Sequence, residues 1–126
     1  MIDHIGIEVS DYKKSKQFYV HALAPIGYKL IMEVEGFAGF GPNMEKSPIA
    51  TLWLHQGNSP SFKTHIAFTA KSRTDVDKFY DAAISAGGQD NGKPGIREHY
   101  HPHYYGAFVL DPDGHNIEAV CHLSTS

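Results

Sequence analysis

The sequence has few of the features that mark secreted, membrane or nucleic-acid-binding chains. Its single cysteine excludes an internal disulfide and predicts a reducing, cytoplasmic location. No apolar run approaches the ~20 residues of a membrane span, and the first residues, MIDHIGIEVSD, show no signal-peptide pattern. The formal charge of −3 provides no basic surface for nucleic acid. We therefore expect neither a membrane nor a nucleic acid among its partners.

The length and composition are those of an ordinary globular domain. With 126 residues, 41% of them hydrophobic and 20% charged, the chain is long enough for one core and too apolar to be disordered. We expect a single domain over residues 1–126. The unusual count is nine histidines, which makes metal or acid–base chemistry worth testing.

The chain contains an internal repeat. Residues 3–23 resemble residues 64–84, and a shift of 61 positions aligns His4 with His65, Phe18 with Phe79 and Gly27 with Gly88. This indicates a duplicated module, at about 1–57 and about 63–123. Two similar amphipathic segments that arose independently are the alternative.

Each half predicts the element order βαβββ. A strand with period-2 alternation opens each half, and a helix with an i, i+3, i+4 apolar stripe follows it. Pro25 ends the first helix, whereas Ser72 and Gly87 bound the second. Later strands are predicted at 28–34, 36–40, 49–55, somewhere within 89–98, 104–110 and 116–121.

Strand alternation places a set of polar side chains on one face. The helices must cover the apolar face of each sheet, so His4, His65 and Glu118 point to the other, concave face. Trp53 and His55 share that face, and the alignment of residues 52–54 with 117–119 makes Trp53 the counterpart of Glu118. Cys121 is expected in the core, and the turn residue His115 on the surface.

Two histidines and a carboxylate on one face form a ligand set for a divalent metal. Fe, Mn, Zn and Ni all accept this set, and open coordination positions would bind and polarise substrate oxygens. Ordinary hydrogen-bonded histidines are the alternative. His55 is a further candidate ligand if its strand bulges.

The segment EHYHPHYY supplies candidate acid–base groups. His101, Tyr104 and Tyr105 are the candidates, with His101 and Tyr105 preferred for catalysis and Tyr104 placed with Trp53 and His55 in the substrate pocket. The alternating histidines 99, 101 and 103 are either a second metal patch or, since Pro102 interrupts them, a polar loop at the pocket mouth.

The double βαβββ pattern, the openings HIGIEV and HIAFTA, and the stretch FVLDPDGHNIEAV resemble the vicinal oxygen chelate superfamily. This superfamily includes glyoxalase I, extradiol dioxygenases, and fosfomycin- and bleomycin-resistance proteins, and the resemblance covers nearly the whole chain. It implies an α+β fold in which two pseudosymmetric modules form a cupped, partly open mixed β-barrel with the helices outside. By the same resemblance His4, His65 and Glu118 match ligand positions, and a homodimer is expected.

The resemblance also implies a function, although the sequence departs from the family pattern at one position. The leading hypothesis is a metal-dependent lyase, isomerase or dioxygenase that acts on a small oxygen-chelating substrate. Glyoxalase I-like members carry a carboxylate where this chain has Trp53, so a standard glyoxalase I is not expected. The alternative is a metal-free small-molecule binding protein of the bleomycin-resistance type.

Overall fold

The computed structural model describes residues 1–46, 48–60 and 62–124. Two α-helices and eight strands occur within these ranges, in the βαβββ order predicted for each half, and a short 3-10 helix (Ala24–Ile26) follows the first α-helix. Module 1 comprises β1 (Ile5–Val9), α1 (Tyr12–Leu23), β2 (Tyr28–Val34), β3 (Phe37–Pro42) and β4 (Leu52–Gln56). Module 2 comprises β5 (His65–Thr69), α2 (Arg73–Ser85), β6 (Gln89–Ile96), β7 (Tyr105–Leu110) and β8 (Asn116–Cys121).

Each module forms a four-stranded mixed sheet with the same topology. The strand orders are β1-β4-β3-β2 and β5-β8-β7-β6, with the first pair parallel and the other two antiparallel. The described strands remain in two separate sheets and form no closed barrel. Gly6 pairs with Trp53 in module 1, and Ala67 pairs with Glu118 in module 2. These equivalent registers confirm the alignment of Trp53 with Glu118.

Both helices begin at the polar side chains that their sequences provide. The carboxylate of Asp11 accepts a hydrogen bond from the Lys14 backbone N–H at 3.2 Å, and the Ser72 hydroxyl accepts one from the Asp75 N–H at 3.1 Å. Gly87, with φ of 99°, follows α2 in a left-handed conformation that favours glycine. The predicted stripe of α1 is buried at Ser15, Phe18, Tyr19, Ala22 and Leu23. That of α2 is buried at Val76, Phe79 and Ala83 and partly buried at Tyr80 and Ile84.

The core lies between the helices and one face of each sheet. Inward residues of the strands, such as Leu54 and Phe68, alternate with more exposed neighbours, as the period-2 pattern predicts. Cys121 is buried, which confirms its assignment to the core. The opposite face of each sheet is therefore the one available for a site.

The turn between β7 and β8 ties the two modules together. The Tyr19 hydroxyl of α1 donates to Asp111 Oδ2 at 2.5 Å, and the Ser10 N–H donates to Asp113 at 3.1 Å. His115 Nδ1 accepts from the Thr64 N–H, and its Nε2 donates to the carbonyl oxygen of Glu8, both at 3.0 Å. The prediction that His115 is exposed was wrong: it is 1% exposed because the turn folds onto module 1.

Strands β2 and β8 have the predicted bounds, whereas three other strands start one to three residues later than predicted. Strand β3 starts one residue later than predicted because Gly36, with φ of 78°, belongs to the preceding turn. Strand β4 starts at Leu52 rather than at residue 49, and β7 at Tyr105 rather than Tyr104, which is held in a turn by a bond from its N–H to the His101 carbonyl. Among the described residues no helix is both long and apolar enough to span a bilayer.

Candidate functional site

Glu118 is the centre of the polar face of module 2. It lies in the middle of β8, and although charged it is only 1% exposed. Its Oε1 accepts a hydrogen bond from His65 Nε2 at 2.9 Å, and its Oε2 accepts one from the Tyr104 hydroxyl. A buried carboxylate is costly unless it is paired or coordinated, so both oxygens have defined partners for a physical reason.

Tyr104 reaches Glu118 by lying along the sheet. Its ring crosses Gly106, where a Cβ would lie 3.2 Å from Tyr104 Cε1 and 3.3 Å from Glu118 Oε2. Desolvation, followed by the hydrogen bond to Glu118 and its charge, raises the pKa of Tyr104 well above its usual value. Tyr104 therefore stays a proton donor that fixes the orientation of the Glu118 carboxylate.

The His65–Glu118 pair has the spacing of two ligands on one metal. Bonds of ~2.0–2.2 Å at a right angle place two donor atoms roughly 3 Å apart, and the observed separation is 2.9 Å. In the described residues, however, no three His, Cys, Asp or Glu side chains converge closely enough to hold a metal ion. An imidazole nitrogen and a carboxylate oxygen suit a divalent metal, and within the described residues of one chain they form a pair without a third ligating side chain.

His4 does not join this pair within the chain. It lies just before β1, its side chain is 57% exposed, and Nδ1 contacts Asp3 Oδ2 at 2.7 Å. It lines a groove of about 420 Å³ that runs between β1 and β5, and neither His65 nor Glu118 lines this groove. The three ligands predicted from the sequence are thus brought together only as a pair.

Trp53 and His55 lie on the concave face of module 1, as predicted. The Trp53 indole covers Gly39, where a Cβ would lie 2.8 Å from the ring, so glycine at that position makes room for it. The His55 ring lies 6.2 Å from that of Phe37. These two pocket candidates share one sheet, whereas the third, Tyr104, lies on the sheet of module 2.

His101 lies beside the Glu118–Tyr104 pair, at the rim of the same face. Its ring is 5.5 Å from the Tyr104 ring, and its Nε2 is 2.7 Å from Nδ1 of His122. The segment that carries histidines 99, 101 and 103 is a loop and not a strand, which agrees with the polar-loop interpretation. His122, which the sequence patterns did not single out, joins the site because β8 ends beside this loop.

Tyr105 lies on the opposite face of the sheet from Glu118. Its hydroxyl donates to Asp77 Oδ1 of α2 at 2.6 Å. Desolvation and this hydrogen bond raise the pKa of Tyr105 to about 12. Alternation along β7 explains the difference, since adjacent residues 104 and 105 point to opposite faces. Sequence reasoning also missed Phe108, which pairs with Glu118 and whose ring lies 6.2 Å from that of His65.

Comparisons with known proteins agree on one family. The family model described as Glyoxalase/Bleomycin resistance protein/Dioxygenase superfamily matches residues 1–119. The curated "Putative lactoylglutathione lyase" of Brassica oleracea var. gemmifera is 27% identical over 129 residues, which cover 93% of this chain. This chain spans only 43% of that relative's length.

Solved structures show the same fold. The crystal structure of a glyoxalase/bleomycin resistance protein from Albidiferax ferrireducens T118 is 26% identical, covers 96% of this chain and 98% of its own, and gives a TM-score of 0.78. A mutant of the fosfomycin resistance protein FosX from Listeria monocytogenes, complexed with Mn(II) and 1S,2S-dihydroxypropylphosphonic acid, is 21% identical. It covers all of this chain and 90% of its own with a TM-score of 0.67.

Proposed function

The chain belongs to the Glyoxalase/Bleomycin resistance protein/Dioxygenase superfamily, and from this premise we propose that it is a divalent-metal-dependent enzyme. Its substrate is a small molecule that chelates the metal through two oxygens, and its reaction is that of a lyase, isomerase or dioxygenase. The proposed ligands are His4, His65 and Glu118. The single observation that carries the proposal is the buried Glu118 carboxylate with His65 Nε2 at 2.9 Å.

The other residues of the face hold these donors in place. Tyr104 keeps one oxygen of Glu118 occupied, which leaves the oxygen next to His65 as the one that faces a metal. To act as a ligand through Nε2, His65 would carry its proton on the other ring nitrogen, Nδ1, so the hydrogen bond to Glu118 Oε1 would be exchanged for a shared metal. A bound divalent ion supplies Lewis-acid polarisation of the substrate oxygens. His101 at the rim is the proposed proton acceptor.

The departure at Trp53 limits which reaction is proposed. The curated relative is named a putative lactoylglutathione lyase. An indole can neither coordinate a metal nor accept a proton, so Trp53 removes the ligand or base that a carboxylate would provide there. We therefore do not propose glyoxalase I activity. FosX, with Mn(II) in its structure, supports Mn among the candidate metals Fe, Mn, Zn and Ni.

A homodimer is part of the proposal because His4 lies apart from its partners within one chain. The concave face of module 1 exposes Met32, Val34 and Phe37. If module 2 of a second copy covers this face, His4 of one copy can meet His65 and Glu118 of the other. Burial of exposed apolar side chains stabilises such a dimer. We place the protein in the cytoplasm because Cys121 is an unpaired thiol.

A metal-free small-molecule binding protein is the second candidate. The observation in its favour is that no three ligating side chains converge within the described part of one chain. Trp53 and Phe37 would then provide an aromatic wall for stacking.

Metal analysis of the protein, purified without chelators, tests the choice between the two. We expect about one equivalent of a divalent metal per chain, as a single ligand set would hold. Glu118→Gln and His65→Ala should lose it, and His21→Ala, a histidine on the outer surface of α1, should keep it. Metal-free wild-type protein that still binds small aromatic ligands would favour the second candidate.

Complementation distinguishes a site within one chain from a site between two chains. His4→Ala and Glu118→Gln chains each lack metal, but a mixed dimer contains one site with both lesions and one intact site. Co-refolding equal amounts should therefore restore about a quarter of the wild-type metal if sites form between copies of a twofold dimer. No recovery in folded, mixed dimers would contradict the shared site.

A further inference from the structure

Arg97 lies on the same face as Glu118, although its position in the sequence does not suggest this. Its backbone N–H donates to the Tyr104 carbonyl at 2.7 Å, and the preceding pair, Ile96 and Tyr105, is in register. Tyr105 contacts α2 through Asp77. Alternation therefore directs Arg97 to the opposite, concave face, together with Tyr104.

The Arg97 guanidinium is fixed over the sheet of module 2. Nη1 donates to the Gly95 carbonyl at 2.9 Å and Nη2 to the Lys93 carbonyl at 2.7 Å. Its Cζ lies 5.4 Å from the centre of the Phe108 ring. A Cβ on Gly92 would lie only 3.2 Å from Nη2 and 2.9 Å from the Phe108 ring, so glycine leaves the space that the guanidinium uses.

The charge of this guanidinium is not balanced by a carboxylate. Within the described ranges no Asp or Glu oxygen lies within 4.0 Å of it, and its two hydrogen bonds go to neutral carbonyl groups. Since a guanidinium has five N–H donors, three remain for a ligand. A planar guanidinium held in place matches the two oxygens of a carboxylate or a phosphate group.

Arg97 is separated from the His65–Glu118 pair by one aromatic ring. Phe108 pairs directly with Glu118 across β7 and β8. Its ring centre lies 6.2 Å from the His65 ring and 5.4 Å from Arg97 Cζ. His65, Phe108 and Arg97 thus form a row across the face, with an apolar surface between two polar ends.

We propose that Arg97 is an oxyanion-binding site, and that the ligand of this protein carries a carboxylate or phosphate-type group on an arm that crosses Phe108. The proposal rests on the proposed function only in taking this face as the ligand-binding face. It narrows the substrate class from any oxygen-chelating molecule to an anionic one.

The sequence contains two arginines, so Arg73 serves as the internal control for Arg97. Arg73 also stacks on an aromatic ring of β7, with Cζ 5.2 Å from the Tyr105 ring, but on the side of the helices. Metal-free protein labelled with ¹⁵N-arginine should give two Nε–H signals, assigned with Arg97→Lys and Arg73→Lys. Because no metal is present, a failed metal hypothesis does not affect the result.

Inorganic phosphate and acetate are then titrated separately at constant ionic strength, with chloride as the reference. We expect saturable movement of the Arg97 signal with at least one oxyanion and none of the Arg73 signal. Movement with phosphate alone assigns a phosphate-type arm, and movement with acetate alone a carboxylate. Calorimetric titration should show that Arg97→Gln binds the same oxyanion at least tenfold more weakly than the wild-type protein does. An Arg97 signal that neither anion moves, or equal movement of both arginine signals, would overturn the proposal.

Discussion

The two modules share a backbone plan but present different chemistry on their concave faces. Gly6–Trp53 and Ala67–Glu118 occupy equivalent pairs of parallel strands. Yet module 1 presents an indole at the position where module 2 presents a buried carboxylate. The core-facing alternation, on which folding depends, is thus the same in both modules, while the outward positions differ.

The modules also differ in what lies opposite the central residue. In module 1 Gly39 pairs with Trp53 and makes room for the indole, whereas in module 2 Phe108 pairs with Glu118. Module 2 brings a tyrosine hydroxyl and a histidine nitrogen to its central side chain, and among the described residues Trp53 of module 1 has no such side-chain hydrogen bond. The comparison indicates one sheet specialised for polar contacts and one for apolar contacts.

The largest expected effect concerns the turn between β7 and β8 of module 2, which contacts module 1. Tyr19→Phe keeps the ring but leaves Asp111 Oδ2 without its buried donor, which should lower the free energy of unfolding by about 2 kcal/mol. Urea denaturation measures it. Tyr12→Phe, on the same helix but with the exposed acceptor Glu33, is the control and should have a much smaller effect. Equal losses would show that the buried bond is not special.

The second prediction tests whether Tyr104 orients the carboxylate of module 2. Tyr104→Phe removes the donor to Glu118 Oε2 and should weaken Zn(II) or Mn(II) binding about tenfold, as loss of a hydrogen bond to a metal ligand does. Calorimetric titration measures the affinity. Tyr100→Phe, in the same loop, should leave it unchanged. Unaltered affinity in folded Tyr104→Phe protein would limit Tyr104 to a packing role.

A carboxylate on module 1 should make the two faces more alike. Trp53→Glu would provide a fourth ligand and should tighten metal binding by about threefold to tenfold, roughly 1 kcal/mol. Trp53→Gln introduces a side chain of the same size as glutamate but without its charge, and it should give little gain in metal affinity. Unchanged affinity in the folded Trp53→Glu variant would mean that Trp53 lies away from the metal. Thermal unfolding checks that the space left over Gly39 does not distort the sheet.

The smallest expected effect concerns a feature that the two modules share, a tyrosine whose pKa is raised by desolvation and by a neighbouring carboxylate. Tyr12 donates to Glu33 in module 1 and Tyr105 to Asp77 in module 2, and desolvation followed by these bonds raises the pKa of each tyrosine to about 12. The folded pKa exceeds the unfolded value of ~10, so the stability from each pair is complete below pH 10 and is lost as the pH rises towards 12. Each Tyr→Phe variant should remove one late step from an ultraviolet titration. Titration of either tyrosine near pH 10 would contradict the pairing.

Much of the fold and part of the site could be predicted from the sequence. The alternation along β5 and β8 placed His65 and Glu118 on one face, and the structure joins them. The position of His4 could not be predicted in the same way, because it lies outside β1, where strand alternation no longer constrains the side chain. The prediction that His115 is exposed was wrong for a related reason, because a turn sequence specifies local geometry but not the module onto which the turn folds.

By itself the sequence determined the repeat, the βαβββ order and the face of each strand residue, because these depend on local periodicity and on the need to bury apolar side chains. Only the tertiary structure decided which polar groups meet. Hairpin register brought Tyr104 onto Glu118 and directed Arg97 to the same face, and docking of the modules enclosed Asp111 and His115. Such contacts join residues far apart in the chain, and their energies depend on distances that no local pattern encodes.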